Sequence, residues 1–293
     1  MAASSTTLTP DVTQSGTFHL GGDLPVYRMG FGAMRITGEG VWGLPKDPSA
    51  ARKLLKRVVE LGINFIDTAD SYGPETSENL LTEALHPYPK GLVIATKGGL
   101  TRSGPHSWAP VGRAEYLQQC VELSLRRLRI DCIDLYQLHR IDPKVPVEES
   151  LGALKDLQKA GKIRHIGLSE VSVAEIERAR KTVEIVSVQN IYNLSNRGHD
   201  DVVDYCEKHR LGFIPWFPVA GGEMLKPGGP LDTVAKRHHA TVSQIALVWL
   251  LHRSPVVLPI PGTSSIAHLE ENTAAASLQL EKKEWAEIEK LAK

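Results

Sequence analysis

Residues 133–168 run IDLYQLHRIDPKVPVEESLGALKDLQKAGKIRHIGL. The apolar stretch Ile133–Leu138 is short and bounded, as a buried strand is. Val147, Leu151 and Leu154 then recur at helical spacing, so a helix is predicted over Val147–Ala160, with Gly161 placed to end it. Ile163–Leu168 is a second strand. A strand, a long crossover helix and another strand make a parallel pair, because parallel strands cannot be joined by a tight hairpin.

The same unit repeats in both directions. Upstream, strands are predicted at Met29–Gly32, Ile63–Ile66 and Leu92–Thr96, with helices at Pro48–Leu61, Glu78–Leu85 and Arg113–Leu128. In the first of these helices Asp47 is a plausible N-cap, Pro48 takes the first helical position and Gly62 ends it. Downstream, strands Ile185–Gln189, Gly212–Trp216 and Val256–Ile260 alternate with helices Val173–Ala179, Asp200–His209 and Thr241–Leu251. A last helix pair, Ile266–Ala275 and Lys282–Leu291, follows. Eight such strands predict an α/β fold, a (β/α)8 TIM barrel with C-terminal extra helices. An open doubly wound sheet is the rival, but the first strand lacks a G-x-G-x-x-G loop opening a helix. Phe18–Leu20 and Pro25–Tyr27 flank Gly21, Gly22 and Asp23, which reads as an N-terminal β-hairpin. Residues 1–15 are expected to be a flexible N-terminal tail, and residues 16–293 one barrel domain.

The bulk numbers agree. A barrel typically needs ~250 residues, and the chain has 293. Lys plus Arg and Asp plus Glu both count 34, so no charge excess invites nucleic acid or an anionic membrane. Of the three cysteines, Cys120 lies on a predicted helix and Cys132 just before a strand. With Cys206, they form neither a disulfide framework nor a metal-ligand pattern, and no metal is expected. No apolar run reaches the ~18 residues of a membrane span. Met1–Ser15 lacks the basic and apolar regions of a secretion signal. A cytoplasmic monomer acting on a small molecule is the expectation.

Barrels carry their chemistry at the C-terminal ends of the strands. Asp67 and Tyr72 follow the second predicted strand, Lys97 the third and His139 the fourth. Reducing a carbonyl needs a hydride on carbon and a proton on oxygen. Tyr72 would supply the proton, but a free phenol has a pKa near ~10. An ammonium beside it lowers that value. Lys97 would be that cation, Asp67 its counter-ion, and His139 a hydrogen-bond donor to the substrate oxygen. Trp42, Trp108 and Tyr192 are candidate pocket walls, beside Tyr72 and His139 themselves.

These residues closely resemble the aldo-keto reductase family. The matching segments are Phe65–Gly73, Ala95–Lys97, Asp134–His139, Gly167–Ser169, Val188–Asn193 and Glu270–Asn272, within a span from about Met29 to Leu291. The resemblance implies a tetrad of Asp67, Tyr72, Lys97 and His139, with Tyr72 as general acid. It implies NADPH extended across the barrel mouth, with the hairpin plugging the opposite end. Ser169 and Gln189 would hold the nicotinamide carboxamide, and Trp216 would stack on the ring. Gly32, Ala33 and Met34 would border it, and Phe217, Pro218, Val219, Gly221 and Gly222 would pass over the pyrophosphate. Gly262, Thr263, Ser264 and His268 would lie around the 2′-phosphate, and Glu271 and Asn272 at the adenine.

Three departures stand out. Glu170 replaces the family's usual Asn, Trp216 its usual Tyr, and Gly262 with His268 its usual Lys and Arg. A carboxylate at 170 can accept from the carboxamide NH₂ but cannot donate to its oxygen. The 2′-phosphate loses charge-assisted partners, so NADH use is expected to be possible. Overall the sequence predicts a carbonyl reductase, or alcohol dehydrogenase, of the NADP type. Two other readings stand beside it: a Schiff-base lyase using Lys97, and a cofactor-sensing accessory subunit.

Overall fold

The computed structural model describes residues 8–219, 228–229 and 231–291. In chain order its strands and helices are β1 (Thr17–Leu20), β2 (Leu24–Tyr27), β3 (Phe31–Gly32), α1 (Pro48–Glu60), β4 (Phe65–Asp67), α2 (Thr76–Leu85), β5 (Val93–Gly98), β6 (Leu100–Thr101), β7 (Ala109–Pro110), α3 (Ala114–Leu128), β8 (Ile133–Leu138), α4 (Val147–Lys159), β9 (Ile163–Ser169), α5 (Val173–Arg180), β10 (Ser187–Gln189), α6 (Asp200–His209), β11 (Gly212–Phe213), α7 (Asp232–Arg237), α8 (Val242–Arg253), α9 (Ile266–Ala274) and α10 (Lys282–Leu291).

Seven strands form one parallel sheet in the order β11-β10-β9-β8-β5-β4-β3. Residues 256–260, predicted as the eighth strand, complete the ring with few bonds. Phe213 N donates to Val256 O and Leu258 N to Phe213 O, both at 2.8 Å, while Gly30 N donates to Pro259 O at 2.9 Å. Pro255, Pro259 and Pro261 remove donors here, so a bridge at Val257 replaces a ladder. The architecture is a (β/α)8 barrel.

The barrel has two apolar compartments. Alternate side chains such as Phe65, Ala95, Leu135, Ile214 and Leu258 fill the lumen, and Leu20, Leu24 and Val26 of the hairpin join them. The hairpin β1–β2 is therefore the plug that the sequence reading expects. The opposite strand faces pack on the helices, as Tyr136 and Ile166 do with Leu151 and Leu154 of α4. Local chemistry sets the helix starts. Asp47 accepts from Ala50 N at 3.0 Å, and Ser172 and Thr241 open full capping boxes.

The structure differs from the sequence reading at several further places. Residues 12–15 are not a loose tail: Asp11 caps a 3-10 turn over Val12–Ser15, Val12 is buried, and Ser15 Oγ accepts from Met29 N at 3.1 Å. The helix α7 and the small hairpin β6–β7 were not predicted. Strand β4 runs on to Asp67, one residue past its predicted end, so the carboxylate sits on the strand itself.

Arg28 clamps the seam where first and last strands meet. Its Nε donates to Val257 O at 3.2 Å, and Nη2 donates to Leu251 O and Ser254 O at 2.6 Å each. Burial pulls the guanidinium down to about 10, and among the described residues it is held by carbonyls without a carboxylate. Arg28→Ala strands these acceptors and is expected to cost about 2–4 kcal/mol in a urea melt. An unchanged midpoint would show that the seam closes without it.

Candidate active site

Lys97, near the end of β5, is fully buried. Its ammonium donates to Asp67 Oδ1 at 2.5 Å, Thr68 O at 2.8 Å and Tyr72 Oη at 3.2 Å. Three protons thus meet three acceptors. The other carboxylate oxygen of Asp67 accepts from Gln137 Nε2 and Gln189 Nε2, both at 2.9 Å. A buried charge must be paired and hydrogen-bonded to persist, and both members of this pair are.

Tyr72 is 7% exposed at the mouth. Ser71 Oγ lies 3.3 Å from His139 Nδ1, and the Tyr72 and His139 rings meet edge to face at 5.9 Å. All four expected residues therefore gather in one place. Gly73, at φ +97°, turns the chain straight after Tyr72; a Cβ there would strike Thr76.

The electrostatics correct one expectation. Burial pushes the Tyr72 phenol above its ordinary 10, and the Lys97 ammonium pulls it back only in part. Burial also opposes the charge on Lys97, but Asp67 and Tyr72 together hold its pKa above 10.5. His139 is driven well below 6.5, by burial first and then by Lys97, Arg140 and Arg102. At neutral pH the site holds a protonated phenol, a charged ammonium and a neutral imidazole.

Around this cluster lie the expected cofactor residues. Ser169 Oγ accepts from Arg140 Nη1 at 2.9 Å, and Arg140 also donates to His139 O at 2.6 Å. That leaves the Ser169 hydroxyl proton to donate. The Gln189 amide NH₂ is already engaged, with Gln137 Oε1 at 3.1 Å as well as Asp67, so only its oxygen remains to accept. Glu170, at φ +56°, accepts from Ile191 N at 2.6 Å and Trp216 Nε1 at 2.5 Å through one oxygen. Two departures from the family pattern thus explain each other: the carboxylate at 170 holds the indole at 216.

Gly32 and Gly262 face each other across the seam. A Cβ on Gly262 would sit 2.7 Å from Gly32 O, and one on Gly32 would sit 2.7 Å from Ile260 O. Ala33 is buried, while Met34 and Phe217 are exposed. Asn193 Nδ2 donates to Phe217 O at 2.9 Å; Pro218 and Val219 follow, and Gly221 and Gly222 lie outside the described residues. Thr263 Oγ1 accepts from Ser265 N at 3.0 Å, just before α9, where Ser264 and His268 are exposed. Glu271 is taken up by Thr241, whose hydroxyl reaches it at 2.6 Å, and Asn272 is buried beside it on α9.

Of the expected pocket walls, Trp42 and Trp108 are partly exposed, and Trp108 meets Tyr72 at 6.4 Å and His139 at 6.3 Å. Tyr192 is misplaced by the sequence reading. It is fully buried, stacks on Trp249 at 5.8 Å and donates to Asp200 at 2.5 Å, so it belongs to the outer core.

Sequence reasoning missed Gln137, Arg140 and Asp70. The first had a signal: strand alternation puts Leu135, Gln137 and His139 on one line. Asp70 lines a cleft of about 280 Å³ beside α3, with Cys120 and Arg127. Among the described residues its Oδ1 has no hydrogen-bond partner. Burial first, then Glu78, pushes its carboxyl from 3.8 up to about 7. The folded form therefore keeps this proton to higher pH than the unfolded chain does. That stability is complete below about 3.8 and is lost as pH rises through about 7. Asp70→Asn cannot ionise, so its melting temperature is expected to gain on the wild type between pH 4 and pH 8. A constant difference would contradict the shift.

Comparison with known proteins names the class. The Aldo/keto reductase family model matches residues 28–293. The chain belongs to the aldo/keto reductase family. It is 55% identical over 283 residues to an uncharacterized oxidoreductase of Schizosaccharomyces pombe, covering 97% of this chain and 92% of that one. It is 42% identical over 272 residues to pyridoxine 4-dehydrogenase of Escherichia coli, covering 91% and 94%. Its fold is similar to that of an aldo-keto reductase from Klebsiella pneumoniae solved in complex with NADPH, with TM-score 0.78, 25% identity and 94% of each chain covered.

Proposed function

We propose that this oxidoreductase reduces an aldehyde or ketone to the alcohol with NADPH, and that Tyr72 is the proton donor. The observation that carries the reading is the chain Tyr72–Lys97–Asp67, with Tyr72 Oη 3.2 Å from a fully buried ammonium. NADPH, when bound, supplies the hydride. The residues present fit it: Trp216 offers a flat face fixed by Glu170, Ser169 offers a hydroxyl proton, and Thr263 and Ser264 precede the N-terminus of α9.

The protein's own groups then act in sequence. Neutral His139 donates a hydrogen bond to the carbonyl oxygen and fixes it near Tyr72 Oη. As negative charge grows on that oxygen, the Tyr72 proton transfers to it. Lys97 stabilises the phenolate left behind, and Asp67 keeps Lys97 charged. A lyase role for Lys97 is disfavoured, because a Schiff-base nucleophile must be neutral and all three ammonium protons are engaged.

The substrate proposed first is the pair pyridoxine and its 4-aldehyde, from the likeness to pyridoxine 4-dehydrogenase. Planar aromatic aldehydes also suit the walls of Trp42 and Trp108. We read the protein as a cytoplasmic monomer; among the described residues no helix is long and apolar enough to cross a membrane. The cofactor-sensing reading predicts tight NADPH binding with negligible turnover across the same carbonyls.

Tyr72→Phe is expected to lower kcat for these aldehydes by about 10²-fold or more while NADPH still binds; unchanged turnover would reject the acid. Because His139 is already neutral and the Tyr72 phenol is raised above its ordinary 10, kcat/KM should show no acid limb near 6.5. An imidazole titration there would contradict the assignment.

Arg35 bears on cofactor choice. Its Cγ lies 3.8 Å from where a Cβ on Gly262 would stand, so the stem of a basic side chain passes the position where the family's usual Lys is missing. NADPH is expected to exceed NADH in kcat/KM, and Arg35→Ala to narrow the ratio. Equal wild-type values would remove the preference.

A further inference from the structure

The loop after β5 folds back as β6–β7 and carries Arg102 and Trp108 to the mouth. The Arg102 guanidinium is fully engaged by backbone carbonyls. Nε donates to Ser107 O at 2.7 Å. Nη1 donates to Val41 O at 2.9 Å and Ser71 O at 2.7 Å. Nη2 donates to Gly40 O at 3.0 Å and Gly104 O at 3.3 Å. The five N–H groups thus meet five carbonyls from three separate loops. The guanidinium carbon also lies 3.5 Å from the Trp108 ring centroid and 5.5 Å from that of Trp42. Among the described residues no carboxylate pairs with it.

We infer that Arg102 is a positioning residue that sets which carbonyls the site accepts. It ties the loop of Trp42, the loop of Trp108 and the segment beside Tyr72 into one arrangement. The Ser71 carbonyl is the link to the chemistry, because Ser71 precedes Tyr72 and its hydroxyl touches His139. One face of Trp108 is covered by the guanidinium, and its ring meets Tyr72 and His139 edge on. That fixed indole and Trp42 are the apolar walls available to a substrate. Every N–H of Arg102 is spent on the backbone, so it has no hydrogen bond left to offer an anionic group. The part of the substrate recognised here is therefore flat and uncharged. Lysine cannot replace it, having neither the fork nor the planar face.

The inference rests on the reductase reading, so its test includes a measurement that needs no turnover. Benzaldehyde, propanal and 4-carboxybenzaldehyde are compared on wild type, Arg102→Lys and Arg102→Ala, with Arg102→Gln used if the alanine variant does not fold. Arg102→Ala is expected to lower kcat/KM for benzaldehyde about tenfold, mainly through KM, and that for propanal by less than about threefold. Arg102→Lys should recover little, and NADPH affinity should stay within about twofold. Acrylamide quenching of Trp108, read as a difference against Trp108→Phe, should rise without any substrate. Parallel losses for benzaldehyde and propanal would overturn the proposal, as would unchanged quenching. A wild-type preference for 4-carboxybenzaldehyde that disappears in Arg102→Ala would show anion binding and overturn it too. If wild type reduces none of these aldehydes and not the 4-aldehyde of pyridoxine either, the reductase reading fails, while quenching still judges the link from Arg102 to Trp108.

Discussion

The buried pair of Lys97 and Asp67 is the constraint around which the site is built. Removing two charges from water is costly, and their attraction offsets the cost only when every remaining proton and lone pair finds a partner. Here the surroundings supply those partners. Thr68 O and Tyr72 Oη complete the ammonium; Gln137 and Gln189 complete the carboxylate. Because Asp67, Lys97, Gln137 and Gln189 come from four strands of the sheet, β4, β5, β8 and β10, the pair also ties the mouth of the barrel together. Removing either charge leaves the other buried alone, so chemistry and folding cannot be separated at this point.

The same low dielectric explains why burial, and not the ammonium, dominates Tyr72. A phenol in this environment resists ionisation even with a cation 3.2 Å away, since Asp67 cancels much of that cation's field. Such an acid stands wholly in its donor form at neutral pH, and it depends on the charge growing on the neighbouring oxygen, and on Lys97, to give the proton up. Neutral His139 fits the same logic. Burial first, and then three cations, keep it uncharged, and a neutral ring can be positioned by hydrogen bonds without adding a charge to the pocket.

How much of this was legible in the sequence follows from the range of each interaction. Strand–helix alternation is local, so β8, α4, α6 and α10 emerged with boundaries within a residue. The tetrad was legible because strand ends of a barrel share one face, which makes spacing along the chain a statement about space. Three kinds of feature were not legible. The prolines at 255, 259 and 261 thin the eighth strand to a bridge, which an apolar run does not reveal. Tyr192 follows a strand end, as a pocket residue would, but turns outward to stack on Trp249, a contact set by α8. Arg102 reads as a loop charge, and its five carbonyl partners are scattered over residues 40–107. The Glu170–Trp216 pair lay between these cases. Both departures were visible singly, and only their 2.5 Å contact shows that they are one adjustment.

The seam between the first and last strands has a consequence for how the molecule is made. Gly30 bonds to Pro259, Arg28 to Val257, and Gly32 lies against Gly262, so the circle closes between residues more than two hundred positions apart. A ribosome delivers the first partner long before the second. Until the final turns emerge, Leu20, Leu24 and Val26 have no completed lumen to enter, and the half-built sheet presents an open edge. Nascent chains of this protein should be most vulnerable to sticking or chaperone capture in that interval, which ends when residue 262 clears the exit tunnel.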